Sequence, residues 1–162
     1  WGHIIGDEGS GYAIGRNALN AITRSKDGII PNTKLTESIM EKLDISNLDE
    51  LMEFAYDPNT KKHHIAELAP IVIEKSNEDE IAAKIIDEAV NNLWQMVYAL
   101  SIKMKMDIFN LALLGSILTK ADVIKQKLIK KINEELPNIQ IIMGKHEPDY
   151  GALTIAWTEA AF

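Results

Sequence analysis

Hydrophobic residues in the first two thirds of the chain recur every three or four positions, the spacing that places them on one face of a helix. This pattern predicts five helices, over residues 11–24, 36–43, 48–55, 65–73 and 77–104. Thr36 is the expected N-cap of the second helix, and Ser46 or Asn47 of the third. Pro70 should kink the fourth helix or mark a boundary within it. The fifth helix, which Asn77 opens, is the longest, so we expect the others to pack against it.

The hydrophobic pattern changes at residue 107. A short, continuous apolar run follows and is closed by Gly115 and Ser116, which is typical of a buried strand with a parallel neighbour. The elements predicted in this part are a strand over 108–114, a helix over 122–135, a second strand over 139–143 and a helix over 150–161. Their order predicts an α/β fold, in which a large helical block over residues 11–106 precedes a βαβα unit over residues 107–162.

A glycine-rich turn, W-G-H-I-I-G-D-E-G-S-G, stands before the first helix. Ile4 and Ile5 predict the end of a short strand that leads into it. Glycine lets the backbone adopt positive φ and lets a ligand approach the main chain closely. Asp7 would there accept hydrogen bonds from hydroxyl groups, close to the unpaired N–H groups of the following helix. The alternative is a structural strand-to-helix turn in which Asp7 or Ser10 is the N-cap.

Composition and charge narrow the classes of function. The chain has 162 residues, of which 46% are hydrophobic and 25% charged, enough for one domain with a sizeable core. A net charge of −7 argues against a nucleic-acid or anionic-membrane surface, because both bind clustered Lys and Arg. The absence of cysteine excludes disulfides and thiolate metal sites, and is compatible with a cytoplasmic location. No apolar run reaches the roughly 18 residues of a membrane span, so we expect neither membrane nor nucleic acid as a partner.

Three histidines, His63, His64 and His146, are candidate metal ligands. Adjacent residues on a helix point about 100° apart, so His63 and His64 cannot easily chelate one ion, and a metal site would need a third ligand. An exposed helix start explains that pair, and the chemistry of an ordinary loop explains His146. We therefore expect no metal site formed by this chain.

The stretch W-G-H-I-I-G-D-E-G-S-G-Y-A-I-G-R resembles the signature of the N-acetylglucosamine kinase family and of the related BadF/BcrA-type ATPases, within the actin/hexokinase/Hsp70-like superfamily. L-L-G-S at 113–116 and H-E-P-D-Y-G-A at 146–152 fall where that family has its later sequence blocks, so the resemblance covers essentially the whole chain. It implies a partial RNase H-like (actin-like ATPase) fold, with residues 1–162 as a single C-terminal lobe and the N-terminal lobe missing. The family's catalytic aspartate and phosphate loops lie upstream of the first motif, so no catalytic residue is expected in this part, which should be inactive alone.

The resemblance also implies a binding site for the phosphate acceptor. Trp1, Gly2 and Asp7 would contact an amino sugar, with the Asp7 carboxylate accepting hydrogen bonds from sugar hydroxyls. A site built to pair hydroxyl groups discriminates strongly against analogues that lack them, because its own polar groups would go unpaired. Trp1 could add an apolar wall for one face of the sugar ring.

A nucleotide site is implied at the end of the first predicted strand. Ligands of open α/β sheets gather at the carboxyl ends of the strands, and Gly115 and Ser116 stand there, although an ordinary strand-to-helix turn would look the same. The resemblance makes both residues contacts of ATP, with Lys120 and, more weakly, Ala66 as further contacts. Many relatives have Gly-Gly where this chain has Gly115-Ser116.

Three functions are compatible with these residues. The first is the C-terminal part of a kinase that transfers the γ-phosphoryl group of ATP, with Mg²⁺, to N-acetylglucosamine or a related sugar such as N-acetylmuramic acid. The second is a BadF/BcrA-type ATPase that drives a partner protein. The third is a domain used only for binding or dimerisation. An unpaired strand edge is expected where further strands would join the sheet, and such an edge could also support a homodimer.

Overall fold

The computed structural model describes residues 1–106, 108–143 and 148–160 of the chain. Residues 146 and 147, at the start of the H-E-P-D-Y-G-A block, lie outside the described residues. The helices are α1 (Gly11–Lys26), α2 (Leu35–Leu43), α3 (Leu48–Tyr56), α4 (Lys62–Ala66), α5 (Ala69–Lys75), α6 (Glu80–Met104), α7 (Ser116–Lys120), α8 (Asp122–Glu135) and α9 (Pro148–Ala160), and the strands are β1 (Phe109–Leu113) and β2 (Ile139–Met143).

The long helix α6 is the element on which the core is built, as its length predicted. Helices α1, α5 and α8 pack against it. The largest fully buried side chains come from these helices, from α2 and from Leu68, the residue before α5: Ile14, Ile22, Leu35, Ile39, Leu68, Val72, Ile86, Ile124, Leu128 and Ile132. The helical block and the α/β unit therefore share one continuous hydrophobic core.

Helix α6 begins three residues later than the sequence pattern predicted. Its N-cap is Asp79, whose Oδ1 accepts a hydrogen bond from the Ala82 amide at 2.8 Å. The prediction that Asn77 opens this helix is wrong because Asp79 satisfies the first free amides, and the backbone is extended there.

The other oxygen of Asp79 fixes the segment that leads into α2. Oδ2 accepts hydrogen bonds from Thr33 Oγ1 at 2.9 Å and from the Lys34 amide at 2.6 Å. Thr33 Oγ1 in turn accepts a hydrogen bond from the Leu35 amide at 3.2 Å. The prediction that Thr36 caps α2 is therefore wrong. The helix begins at Leu35, and the amide of this first residue donates its hydrogen bond to Thr33.

Two other helix boundaries agree with the prediction from the sequence. Asn47 is the N-cap of α3, and its Oδ1 accepts a hydrogen bond from the Glu50 amide at 3.0 Å. Pro70 lies in the first turn of α5 and separates that helix from α4, which ends at Ala66. Proline is favourable there because the first amides of a helix have no acceptor within it.

Ile4 and Ile5 do not form the predicted strand. They lie in a tight turn closed by Gly2 and Gly6, where the Gly6 amide donates to the Gly2 carbonyl oxygen at 3.0 Å. Both isoleucine side chains are exposed. Two consecutive apolar residues are too short a pattern to separate a strand from an exposed turn.

The described part of the sheet consists of β1 and β2, which are parallel, as predicted. Their register runs from Phe109 opposite Ile139 to Leu113 opposite Met143. Two helices, α7 and α8, connect them, so the unit has one helix more than the predicted βαβα order. The fold is thus α/β, mostly helical with a small parallel sheet. None of the helices in the described ranges is both long and apolar enough to cross a lipid bilayer.

Replacing Asp79 with alanine should lower the free energy of unfolding by about 2 kcal/mol, because it removes the N-cap of α6 and leaves the Lys34 amide without its acceptor. Chemical denaturation of the wild type and variant measures this difference. The matched control is Glu80→Gln, which changes an exposed carboxylate in the next position. Equal effects of the two substitutions would show that Asp79 does not tie α6 to α2.

The contribution of Asp79 should also depend on pH. Burial tends to raise the pKa of this carboxyl, but hydrogen bonds from the Ala82 and Lys34 amides and from Thr33 outweigh it and lower the pKa below its ordinary value of 3.8. The stabilisation is therefore complete above the ordinary pKa and is lost as the pH falls through the folded-state value. The stability difference between wild type and Asp79→Asn should shrink between about pH 5 and about pH 2. A difference that stays constant over this range would contradict the assignment.

Candidate functional site

The glycine-rich turn before α1 is held together by Ser10. Its Oγ donates a hydrogen bond to Asp7 Oδ2 at 2.9 Å and accepts one from the Ala13 amide at 3.1 Å, and its amide donates to the Asp7 carbonyl oxygen at 3.1 Å. Ser10 is thus the N-cap of α1. Among the described residues, none donates a hydrogen bond to Asp7 Oδ1. The structural and the functional interpretation of the turn are therefore compatible: Ser10 caps the helix, and Asp7 Oδ1 remains available as a hydrogen-bond acceptor.

Gly9 brings this turn into contact with α6. Its φ is +80°, and a Cβ at this position would lie 2.7 Å from Leu93 Cγ and 3.2 Å from the Ala89 carbonyl oxygen. Both the positive φ and the close approach require glycine. The turn that carries Asp7 is therefore fixed against the central helix.

Two glycines of α1 bring α4 and α7 close to this turn. A Cβ on Gly15 would overlap the carbonyl oxygen of Ile65, next to the end of α4. A Cβ on Gly11 would lie 3.5 Å from Ile117 Cδ1 and 3.6 Å from Ala66 Cβ. The start of α1, the end of α4 and the start of α7 therefore meet at one place.

Two cavities open beside this meeting point. The first, which we call the α4 cavity, has a volume of about 620 Å³. It is lined by Asp7, Ser10, Gly11, Tyr12, Lys62, His63, Ala66, Ala69, Pro70, Ile73, Glu74, Ser116, Ile117, Lys120 and Ala121. Its size is that of a small-molecule site, and its lining combines apolar walls with a few charged groups.

The second, which we call the turn cavity, has a volume of about 590 Å³. It is lined by Trp1, residues 6–11, Leu93, Met96 and residues 114–118. Both cavities are lined by Asp7, Ser10, Gly11, Ser116 and Ile117, so they adjoin along the start of α1 and the start of α7.

The structure brings together the residues that the resemblance assigned to the nucleotide. Ser116 lines both cavities, Ala66 and Lys120 line the α4 cavity, and Gly115 lines the turn cavity. Gly115 has φ +94°, and a Cβ there would meet no atom within 4 Å, so its backbone is open to a ligand. These four positions, which lie up to 54 residues apart in the sequence (120 − 66), surround the same meeting point.

The residues assigned to the sugar are less close to one another. Asp7 lines both cavities, and Trp1 lines the turn cavity. The Trp1 side chain is fully exposed to solvent and lies close to Gly6. Gly2 lines neither of the two cavities. Its φ of +102° and its pairing with Gly6 give it a role in the conformation of the turn.

Sequence reasoning did not identify Lys62 and Glu74, and it explained His63 as part of an exposed helix start. All three line the α4 cavity. Lys62 and His63 belong to a five-residue helix, which is too short to show a periodic pattern, so only the fold reveals that they face this cavity. No group of three acidic or histidine side chains in the described ranges could hold a metal ion.

The arrangement can accommodate two different ligands side by side. The α4 cavity offers the apolar walls Ala66, Ala69 and Ile117 together with lysines, which suits a flat apolar group joined to an anion. The turn cavity offers the carboxylate of Asp7 and open glycine backbone, which suits a ligand rich in hydroxyl groups.

Alanine substitutions of the two glycines of α1 should differ in their effect on stability, because only Gly15 lies in close contact with the backbone of α4. Gly15→Ala should lower the free energy of unfolding by about 2 kcal/mol, because the new methyl group collides with the Ile65 backbone. Gly11→Ala should change it by less than about 1 kcal/mol, because its methyl group makes ordinary contacts. Denaturant unfolding of both variants measures the difference. A Gly15→Ala variant as stable as Gly11→Ala would disprove the close contact of α1 with α4.

Comparison with known proteins matches residues 1–156 to the model of the BadF/BadG/BcrA/BcrD ATPase family. The chain is 34% identical over 161 residues to an N-acetyl-D-glucosamine kinase of Dictyostelium discoideum, with 96% of this chain and 50% of that protein covered. It is 32% identical over 164 residues to an N-acetylmuramic acid/N-acetylglucosamine kinase of Clostridium acetobutylicum, with 98% and 53% covered. The chain therefore spans about half the length of the curated relatives it matches.

The fold is also similar to that of a solved structure. A crystal structure of a candidate N-acetylglucosamine kinase from Chromobacterium violaceum superimposes with a TM-score of 0.74 over 95% of this chain and 49% of that one. The sequence identity is 21%, so this likeness concerns the fold.

Proposed function

The chain belongs to the BadF/BadG/BcrA/BcrD ATPase family, as its resemblance predicted, and on that premise we propose that it is the C-terminal lobe of an ATP-dependent amino-sugar kinase. The observation that carries the proposal is the pair of adjoining cavities that share Asp7 and Ser116. A kinase needs its acceptor and its nucleotide side by side, and the two matched curated relatives are kinases of N-acetylglucosamine or of N-acetylmuramic acid and N-acetylglucosamine.

The acceptor sugar would bind in the turn cavity. The Oδ1 atom of Asp7 is the acceptor for a sugar hydroxyl, while Ser10 holds the other carboxylate oxygen and so fixes the orientation of the group. Trp1 lies at the edge of this cavity as an apolar surface for the ring, and Gly2 shapes the turn. Preference for a sugar follows because a deoxy analogue would leave the carboxylate unpaired.

ATP would bind across the α4 cavity. The base fits between the apolar side chains of Ala66 and Ile117. Ser116 lines this cavity, and the open backbone of Gly115, which lines the adjoining turn cavity, lies next to it in the chain. Lys120, at the end of α7, is exposed at the same cavity and can reach an anionic group.

The reaction is transfer of the γ-phosphoryl group from ATP to a sugar hydroxyl. The bond from the sugar oxygen to the γ-phosphorus forms, the bond from that phosphorus to the β,γ-bridging oxygen breaks, and the hydroxyl proton passes to a general base. We assign that base to an aspartate in an N-terminal lobe outside this chain. The residues of this chain orient the acceptor and hold the nucleotide, and Mg²⁺ supplies charge neutralisation at the phosphates when bound.

Several finer assignments belong to this proposal. Residues 1–162 would form one lobe of RNase H-like type, which needs its N-terminal partner lobe for activity. The protein would act in the cytoplasm, and it could form a homodimer through the exposed edge of the sheet.

The description of the family as ATPases suggests an alternative function, in which the nucleotide site serves to drive a partner protein. The turn cavity favours the kinase, because Asp7 keeps a free carboxylate oxygen beside the nucleotide residues. Dependence of ATP consumption on a sugar distinguishes the two functions.

The direct test is ADP release from Mg-ATP by the full-length protein that carries this sequence, with and without N-acetylglucosamine. We expect the sugar to stimulate release. Asp7→Asn should lower kcat/KM for the sugar by about 100-fold, because the amide no longer offers a charged acceptor to the hydroxyl. Glu53→Gln, an exposed substitution on α3, is the control and should leave the rate unchanged.

Two results would count against the kinase. Sugar-independent ADP release would favour an ATPase that drives a partner. No release at all would return the glycine-rich turn to a purely structural role.

A further inference from the structure

The charged groups of the α4 cavity differ in whether they already have partners. The cavity is lined by two carboxylates, Asp7 and Glu74, and by two lysines, Lys62 and Lys120. Asp7 accepts a hydrogen bond from Ser10 at 2.9 Å. Glu74 forms an ion pair with Lys75, in which Glu74 Oε1 lies 3.7 Å from Lys75 Nζ. Each carboxylate thus has one partner inside the chain, and Asp7 Oδ1 accepts no hydrogen bond from the described residues.

The two lysines have no such partner among the described residues. Neither Lys62 nor Lys120 forms an ion pair or a side-chain hydrogen bond within the ranges that the structure describes. They come from different helices, Lys62 from the start of α4 and Lys120 from the end of α7. In a chain with a net charge of −7, two uncommitted cations at one cavity favour an anionic ligand there.

The start of α1 adds to this preference. Gly11 and Tyr12 line the same cavity, and they belong to the first turn of a 16-residue helix, whose amides have no acceptor within the helix. The partial positive charge of that helix end favours an anion. Three elements therefore present positive charge to a cavity that is also lined by apolar side chains and by the carboxylates of Asp7 and Glu74.

We propose that Lys62 binds the phosphate chain of the nucleotide, together with Lys120, so that the α4 cavity recognises a nucleoside polyphosphate by its charge as well as by its base. This inference rests on the proposed function, because it assigns the nucleotide to this cavity. An ammonium group on a flexible four-carbon stem is a point charge with three donors, suited to following a phosphate chain. Its hydrogen bonds to phosphate oxygens are charge-assisted.

The chain supplies a matched control in the preceding residue. Lys61 carries the same charge on the same segment, but it does not line the α4 cavity. Its Nζ donates a hydrogen bond to the Pro58 carbonyl oxygen at 2.8 Å, in the loop before α4. A general effect of charge on nucleotide affinity would be equal at the two positions, whereas a specific phosphate contact would appear only at Lys62.

The test is calorimetric titration of the full-length protein that carries this sequence, with the β,γ-imido analogue of Mg-ATP and, separately, with adenosine. Lys62→Gln should weaken binding of the ATP analogue about fivefold to tenfold and leave adenosine binding unchanged. Lys62→Arg should keep the affinity within about twofold, because it retains the charge. Lys61→Gln should change neither affinity, and thermal unfolding of each variant verifies that it is folded.

The possible failures are distinguishable. If the wild type binds the ATP analogue and Lys62→Gln binds it equally well, or if Lys61→Gln loses as much, the role of Lys62 is overturned and the kinase proposal stands. If Lys62→Gln weakens adenosine as much as the ATP analogue, Lys62 shapes the cavity and does not contact phosphate. If the wild type binds neither ligand, the nucleotide site itself is wrong and the inference falls with it.

Discussion

The close contact between α1 and the end of α4 is the constraint on which the site depends. Because Gly15 has no side chain, its backbone can lie against the carbonyl oxygen of Ile65. That contact places Ala66 beside Gly11, and Gly11 beside Ile117 of α7. A larger residue at position 15 would push α4 away and separate the walls of the α4 cavity. The positions of the cavity walls therefore depend on the packing of these helices.

The second feature that organises the site is the pair of hydrogen bonds that Ser10 makes within the glycine-rich turn. Ser10 uses its single hydroxyl twice, as acceptor for the first turn of α1 and as donor to Asp7. Capping the helix and orienting the carboxylate are therefore one interaction. Gly9 lets the same turn lie in close contact with Leu93 and Ala89 of α6, the helix on which the core is built. A carboxylate fixed in this way against the central helix has a defined orientation next to the residues that we propose to bind the nucleotide.

Local patterns in the sequence predicted most of the fold, and the failures have physical reasons. Helices α1 and α6 were identified because each has several turns of regular hydrophobic spacing. Helix α7 was missed because five residues give no periodic signal. The start of α6 assigned to Asn77 was wrong for a local reason, because Asp79, two residues later, caps the helix through the Ala82 amide. The cap assigned to Thr36 was wrong because Asp79 binds Thr33 across 46 residues of sequence, an interaction that no local window contains. Ser116 and Ala66 are also too far apart in sequence for a local pattern to group them, and only the family resemblance implied that they belong to one site. That Lys62 lines the same cavity is shown only by the folded structure.

The most direct test of the account is to map both ligands on the protein by the chemical shifts of its backbone amides. We expect N-acetylglucosamine to shift most strongly the amides of residues 6–10, and the ATP analogue those of Ala66 and residues 115–120. Each ligand should still shift its own set when the other is present, because the two cavities adjoin without coinciding. Shifts confined to other surfaces, or the same set of amides for both ligands, would contradict the assignment of acceptor and nucleotide to two neighbouring cavities.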